Sequence, residues 1–223
     1  MNSISFPKSI TLDFNPKIDS QKDLEKIVLD SYKKNQDFFG EKEIDIKIKF
    51  LYQRLEMDEI CGYKTQDWEV GYANKEKQIS IFSPLVFDKV SSHPQSDFDY
   101  VLTHEIAHLF TNEILGFGYP KWLREGIAGY VAKQYKIRSV GKIDEFSNLH
   151  DKEGWNKFHN YPQAFSFTKY LIDKFGKDKI LEFLKNIKTN IGSTSTYDDF
   201  VKFFNLFLKT DFNQEVSFWL ELR

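Results

Sequence analysis

Val101-Leu102-Thr103-His104-Glu105-Ile106-Ala107-His108-Leu109-Phe110 is the stretch from which the rest of the chain is best read. Its histidines stand four residues apart, about 40° from one another around an α-helix, so both imidazoles leave one face and can meet at one ion. Glu105, between them, sits close enough to reach a water on that ion. Val101, Leu102, Ile106, Leu109 and Phe110 keep the helical period and supply an apolar surface for burial. The pattern is HExxH. On its own it also fits two helical histidines paired with carboxylates, so its meaning rests on what surrounds it.

Downstream, the helix that Ser96-x-x-Asp99 caps runs as a long amphipathic segment to Leu115, where Gly116 and Gly118 stop it. Pro120 suits the first turn of a second helix reaching about Tyr135. That helix carries Glu125, with sixteen residues between it and His108. Zinc hydrolases use three protein ligands and leave the fourth position open, and a helix, a glycine turn and an antiparallel helix can return Glu125 to the two histidines. Gly126, Ala128 and Gly129 beside it are small. Each mid-helix glycine costs roughly 1 kcal/mol against alanine, which makes sense if this face approaches another helix closely.

Upstream, the pattern changes from helix to sheet. Ser20 to Asp23 reads as a capping box opening a helix to about Lys34, with Leu24, Ile27 and Val28 on its apolar face. Glu43 to Phe50 alternates, Ile44, Ile46, Ile48 and Phe50 against Asp45, Lys47 and Lys49, as a half-buried strand does. Trp68–Ala73 and Gln78–Ser83 read as two more strands around the turn Asn74–Lys77. Beyond the second helix, Gln163–Phe175 and Lys177–Lys188 are helical, Asn190–Thr196 is a polar loop, Thr196-x-x-Asp199 caps Tyr197–Leu208, and Asp211 starts a last short helix. The fold class is α+β: one catalytic domain spanning 1–223, with a mixed α/β lobe at 1–95 and a helical lobe at 96–223.

Composition narrows the function. Lys+Arg 31 against Asp+Glu 33 leaves a net charge of −2, which gives no electrostatic footprint for nucleic acid. The 22 Phe, many in the C-terminal third, fit a Phe-rich helical core. A single cysteine, Cys61, excludes an intrachain disulfide. No apolar run has the length of a signal peptide or a membrane span, so the expectation is a cytoplasmic protein with no membrane span.

His104-Glu105-Ile106-Ala107-His108 followed by Pro120-Lys121-Trp122-Leu123-Arg124-Glu125-Gly126-Ile127-Ala128-Gly129-Tyr130-Val131-Ala132 resembles the gluzincin metallopeptidases, particularly the small peptidase-MA-like proteins and more distantly the aminopeptidase N group. The resemblance covers Gly71 to about Leu184. It implies a thermolysin-like core, an edge strand over the active-site helix, Zn2+ on His104, His108 and Glu125, Glu105 as general base, and a peptide or protein substrate. Two departures stand out: the upstream G-x-M-E-N exopeptidase motif is absent, and the linker to the third ligand is slightly shorter. Val70–Ala73 with Ile79–Phe82 occupies the place of the family's edge strand, which can pair with an extended substrate, and also reads as an ordinary core hairpin.

Family members stabilise the oxyanion with a Tyr or His. His93, His150, His159, Tyr130 and Tyr161 are candidates. Tyr161 is preferred, because it precedes the helix that packs beside the metal in peptidase-MA-like proteins, and His93, before Pro94, reads as structural. Two other readings stay open: a zinc hydrolase acting on a non-peptide bond, and an inactive metallopeptidase-like binding domain.

Overall fold

In the computed structural model, which describes residues 7–116, 118, 120–192 and 195–223, sheet and helix segregate along the chain. The fold is α+β, with a small four-stranded sheet in the N-terminal part and a mostly helical C-terminal region. The chain divides into two compact units, residues up to Leu109 and residues from Phe110 on.

The first unit runs β1 (Ile10–Asp13), α1 (Gln21–Phe39), β2 (Ile46–Leu51), α2 (Arg54–Cys61), β3 (Gly71–Ala73), β4 (Gln78–Phe82) and the first three turns of α3 (Phe98–Leu115). The sheet order is β1-β2-β4-β3. β1, β2 and β4 are parallel, and β3 closes one edge antiparallel to β4, with Tyr72 opposite Ser80. In β2, Ile46, Ile48 and Phe50 are buried while Lys47 is exposed and Lys49 half-buried, the alternation a one-sided strand requires. α1 runs past Lys34 to Phe39, because Leu24, Val28, Tyr32, Asn35 and Phe38 prolong one buried stripe until Gly40 turns to φ 100°. Ser20 is its N-cap, yet its side chain makes no capping bond.

The strand expected from Trp68 is shorter than its pattern. Residues 65–69 are held by a side chain instead of a ladder. The Arg54 guanidinium donates to the carbonyls of Gln66 (3.1 Å), Asp67 (3.2 Å), Glu69 (2.5 Å) and Val90 (3.2 Å) and to Thr65 Oγ1 (3.3 Å). Asp58 Oδ1 accepts the Thr65 backbone N–H (2.8 Å) and hydroxyl (2.6 Å). Those two bonds hold the Asp58 carboxyl below its usual pKa.

The second unit holds the end of α3 and α4 (Lys121–Val131), α5 (Lys152–Phe158), α6 (Tyr161–Phe175), α7 (Lys177–Asn190), α8 (Tyr197–Leu208) and α9 (Phe212–Glu221). Its core is aromatic: Trp122 meets Phe146 at 4.8 Å, Phe167 at 5.5 Å and Phe200 at 5.8 Å between ring centroids. α4 stops at Val131, short of Tyr135, where Lys133 adopts φ 59° and a 3-10 turn follows. Thr196 and Asp199 form the expected capping box, with Thr196 accepting the Asp199 N–H. Ser193 and Thr194 of the expected polar loop lie outside the described residues.

α3 departs from its reading in two respects. Ser96 lies within a 3-10 turn, Gln95–Asp97, so the α-helix begins only at Phe98. The helix is also not amphipathic in its middle: from Val101 to Thr111 every residue is buried except half-buried His108. An all-round buried helix forces its polar side chains to find partners inside the protein.

Candidate metal centre

His104, Glu105 and His108 are fixed by the helix that carries them, and α1 locks that helix in place. Thr103 donates its hydroxyl to the Asp99 carbonyl (2.7 Å) and its Oγ1 lies in hydrogen-bond distance of Ser31 Oγ (3.1 Å), while buried Asn35 Nδ2 reaches the carbonyls of Thr103 (3.2 Å) and Ser31 (2.9 Å). These bonds anchor the residue immediately before His104, so little rotation of α3 is left to blur the direction of the imidazoles. Sequence reading did not foresee this anchor, since polar residues on α1 give no sign of their distant partner.

Glu105 faces the sheet edge. A Cβ built on Gly71 of β3 falls 2.8 Å from Glu105 Cγ and 2.9 Å from its Oε1. A side chain at 71 would therefore displace Glu105, whose carboxylate lies directly against the edge strand. The strand's register says which way its main chain points. Asn74 N–H bonds the Gln78 carbonyl (2.9 Å), Phe82 N–H bonds the Val70 carbonyl (3.4 Å), and Tyr72 pairs with Ser80. In an antiparallel ladder, residues 70, 72 and 74 therefore turn their N–H and C=O groups toward β4, and Gly71 and Ala73 turn theirs to the outer side.

In the second unit, α4 is set by two devices. The buried Arg124 guanidinium bonds Asn112 Oδ1 and the Gly116 carbonyl, both at the end of α3, and so fixes the residue next to Glu125. Gly126 and Gly129 meet α6: an added Cβ at 126 falls 2.0 Å from Thr168 Oγ1 and 2.7 Å from the Ala164 carbonyl oxygen, and at 129 it falls 2.0 Å from Phe165 Cδ1. The close helix approach inferred from these glycines is the α4–α6 contact. Burial lowers the pKa of Lys121, one turn before Glu125, and the charge of Glu125 opposes the shift.

His104, His108 and Glu125 come together. Each offers one ligand atom, and these atoms all lie within 4.8 Å of one another. Metal–ligand bonds of about 2.0–2.2 Å place neighbouring ligands of a tetrahedral ion roughly 3.3–3.6 Å apart, so the group is compact enough for one ion. His104 and Glu125 are buried and His108 half-buried. Two imidazoles and a carboxylate are a borderline donor set, and the group could hold a metal ion.

The other candidates occupy distinct places. Tyr161 opens α6, its ring edge-on to Trp155 at 4.9 Å and stacked with His159 at 6.4 Å. Its surroundings are held by Asn160, whose Nδ2 donates to Asp144 Oδ2 (2.8 Å) and Gln163 Oε1 (2.9 Å). His159 caps α5 at φ 46°. His93 bridges Asp97 (3.2 Å) and the Trp68 carbonyl (3.1 Å), a structural role. His150 is buried with Nε2 on the Ser195 carbonyl (2.9 Å). Tyr130 stacks on Tyr135 at 5.6 Å.

A family model described as "Peptidase of plants and bacteria" matches residues 35–214, which includes α3, α4 and α6. No curated protein and no solved structure matches the chain. No helix among the described residues is long and apolar enough to cross a membrane.

Proposed function

Because the chain belongs to this family of peptidases of plants and bacteria, we propose that it is a zinc-dependent metallopeptidase of the gluzincin kind, with His104, His108 and Glu125 as the metal ligands. The observation that carries this reading is the grouping of His104 and His108 of α3 with Glu125 of α4, together with Glu105 of α3 lying against the sheet edge. Zn2+ suits two imidazoles and a carboxylate, and when bound it supplies Lewis acidity toward the scissile carbonyl and lowers the pKa of water.

The chain's own residues do the rest. Gly71 and Ala73 offer outward main-chain donors and acceptors to an extended peptide, which holds the scissile bond beside Glu105. Glu105 takes the proton of the attacking water and returns it to the departing amine nitrogen. Its burial excludes bulk water that would compete for that proton. Tyr161 is proposed as the hydroxyl that donates to the oxyanion.

Elemental analysis tests the ligands, with one zinc per chain expected. Glu105→Gln should keep the zinc and lose peptide hydrolysis, since the amide cannot accept a proton. Glu125→Ala should lose zinc, whereas Glu113→Ala, exposed on α3, should retain it. Absence of zinc uptake by the unaltered protein, or equal zinc affinity in the two glutamate variants, removes this ligand set.

A further inference from the structure

Aromatic side chains on the surface of the first unit are not scattered. Among its described residues, those that are exposed are Tyr63 (55%), Trp68 (41%) and Tyr72 (45%), and all three fall in the ten residues from Tyr63 to Tyr72, which run into the edge strand. Two of them are anchored despite their exposure, Tyr72 through its main chain and Tyr63 through its hydroxyl. Tyr72 is a strand residue paired with Ser80. Tyr63 donates its hydroxyl to Glu69 Oε1 (2.7 Å), and Glu69 Oε2 in turn accepts the Gln66 N–H (2.6 Å). Rigid exposed aromatic rings bind at low entropic cost, which is why recognition surfaces use them.

The register gives Tyr72 a definite relation to a paired chain. Gly71 faces Glu105, so by alternation Tyr72 stands on the opposite face of the sheet. A peptide laid antiparallel along β3 hydrogen-bonds to Gly71 and Ala73. Its residue opposite Tyr72 then sits in a non-hydrogen-bonded pair, the kind in which Cα atoms approach to about 4.5 Å and side chains lie closest. That residue is the sequence neighbour of the one opposite Gly71, beside Glu105. We propose that Tyr72 selects peptide substrates carrying an aromatic or bulky aliphatic side chain at this one position next to the scissile bond, on the face away from Glu105.

The proposal rests on the peptidase reading, and its test separates the two. Cleavage sites in a mixed peptide library, read by mass spectrometry, identify the position. Two matched peptides then carry Phe or Ala there, and their affinities are measured by fluorescence anisotropy on the zinc-loaded full chain with Glu105→Gln, which binds without turnover. An aromatic cross-strand pair should favour the Phe peptide about fivefold. The preference should vanish when Tyr72→Ala is added and persist with Tyr72→Phe, and in the catalytically intact chain it should appear in KM more than in kcat. Equal melting temperatures of the variants exclude a folding defect. An unchanged preference in Tyr72→Ala, or no bulky preference in the unaltered chain, overturns this proposal alone. A zinc-loaded chain that neither binds nor cleaves any peptide overturns both.

Discussion

Replacing Gly126 by alanine puts a methyl carbon 2.0 Å from Thr168 Oγ1 and 2.7 Å from the Ala164 carbonyl oxygen. Helix propensity alone favours alanine by about 1 kcal/mol, so in open space the change is stabilising. Here the overlap must be relieved by moving α4 from α6, and overpacking of this kind costs about 1–3 kcal/mol. Because one obstacle is main chain, trimming Thr168 to alanine cannot clear it, and the net loss should sit near the upper end, about 1–2 kcal/mol after the propensity gain. For a chain of this length that is a fall in melting temperature of roughly 2–8 °C. Gly129→Ala is a different case, since its obstacle is the Phe165 ring, with Cδ1 at 2.0 Å and Cε1 at 2.3 Å. Adding Phe165→Ala to it should relieve the clash, leaving only the cost of the lost ring. Calorimetry on the two single and two double variants, with zinc affinity measured alongside, decides the matter. A higher melting temperature for Gly126→Ala, or equal rescue of both glycine variants, would refute the argument that α4 is seated by contact with α6.

Tyr161→Phe should lower kcat and kcat/KM together, on the order of 100-fold, with zinc content and melting temperature retained; near-normal turnover moves the oxyanion role elsewhere, with Tyr130→Phe and His159→Ala as the comparisons. Glu215, buried on α9, accepts Tyr170 OH and Lys174 Nζ (both 2.6 Å) and Thr210 Oγ1 (2.5 Å). Since Lys174 is partly exposed, Glu215→Ala should cost about 2 kcal/mol, not the larger loss of a fully buried pair, as urea unfolding would show. Burial lowers the His150 pKa from its ordinary 6.5. The unfolded chain therefore takes up that proton first, so stability from this group is full above the ordinary value and declines as pH falls below it. His150→Leu should flatten that part of the pH dependence of the urea midpoint, and an unchanged slope would refute the assignment.

What could be read in advance followed from local chemistry. The HExxH spacing, the Thr196–Asp199 box, the Asn74–Lys77 turn and the small-residue face of α4 are all fixed by neighbours within a few residues, and each has its expected structural counterpart. What escaped depended on distant partners. β1 is four residues whose pairing with β2 is parallel and so lies far away in sequence. α2 buries only Met57, which leaves almost no periodic signal. α5 is seven residues, short of what periodicity can register. The middle of α3 looked amphipathic because His104, Glu105 and Thr111 are polar, yet all three are buried. The pattern there reports chemistry and not solvent exposure. In the site, the role of Arg124 could not be inferred, since an arginine between Leu123 and Glu125 reads as a surface charge until its acceptors are seen.

The Arg54 clamp has a consequence for how this protein can change. Four of its five acceptors are main-chain carbonyls, at Gln66, Asp67, Glu69 and Val90. A carbonyl is the same whatever side chain accompanies it, so the clamp's hold on residues 66–68 does not depend on their side chains, whereas Glu69 also uses its carboxylate. Trp68, which lends the clamp no atom, can therefore be exchanged while the chain still arrives at Gly71 in the same pose. One arginine thus uncouples shape from identity at residues 66–68. That makes residues 66–68 a natural place for descendants, or an engineer building a library, to alter recognition without rebuilding the scaffold.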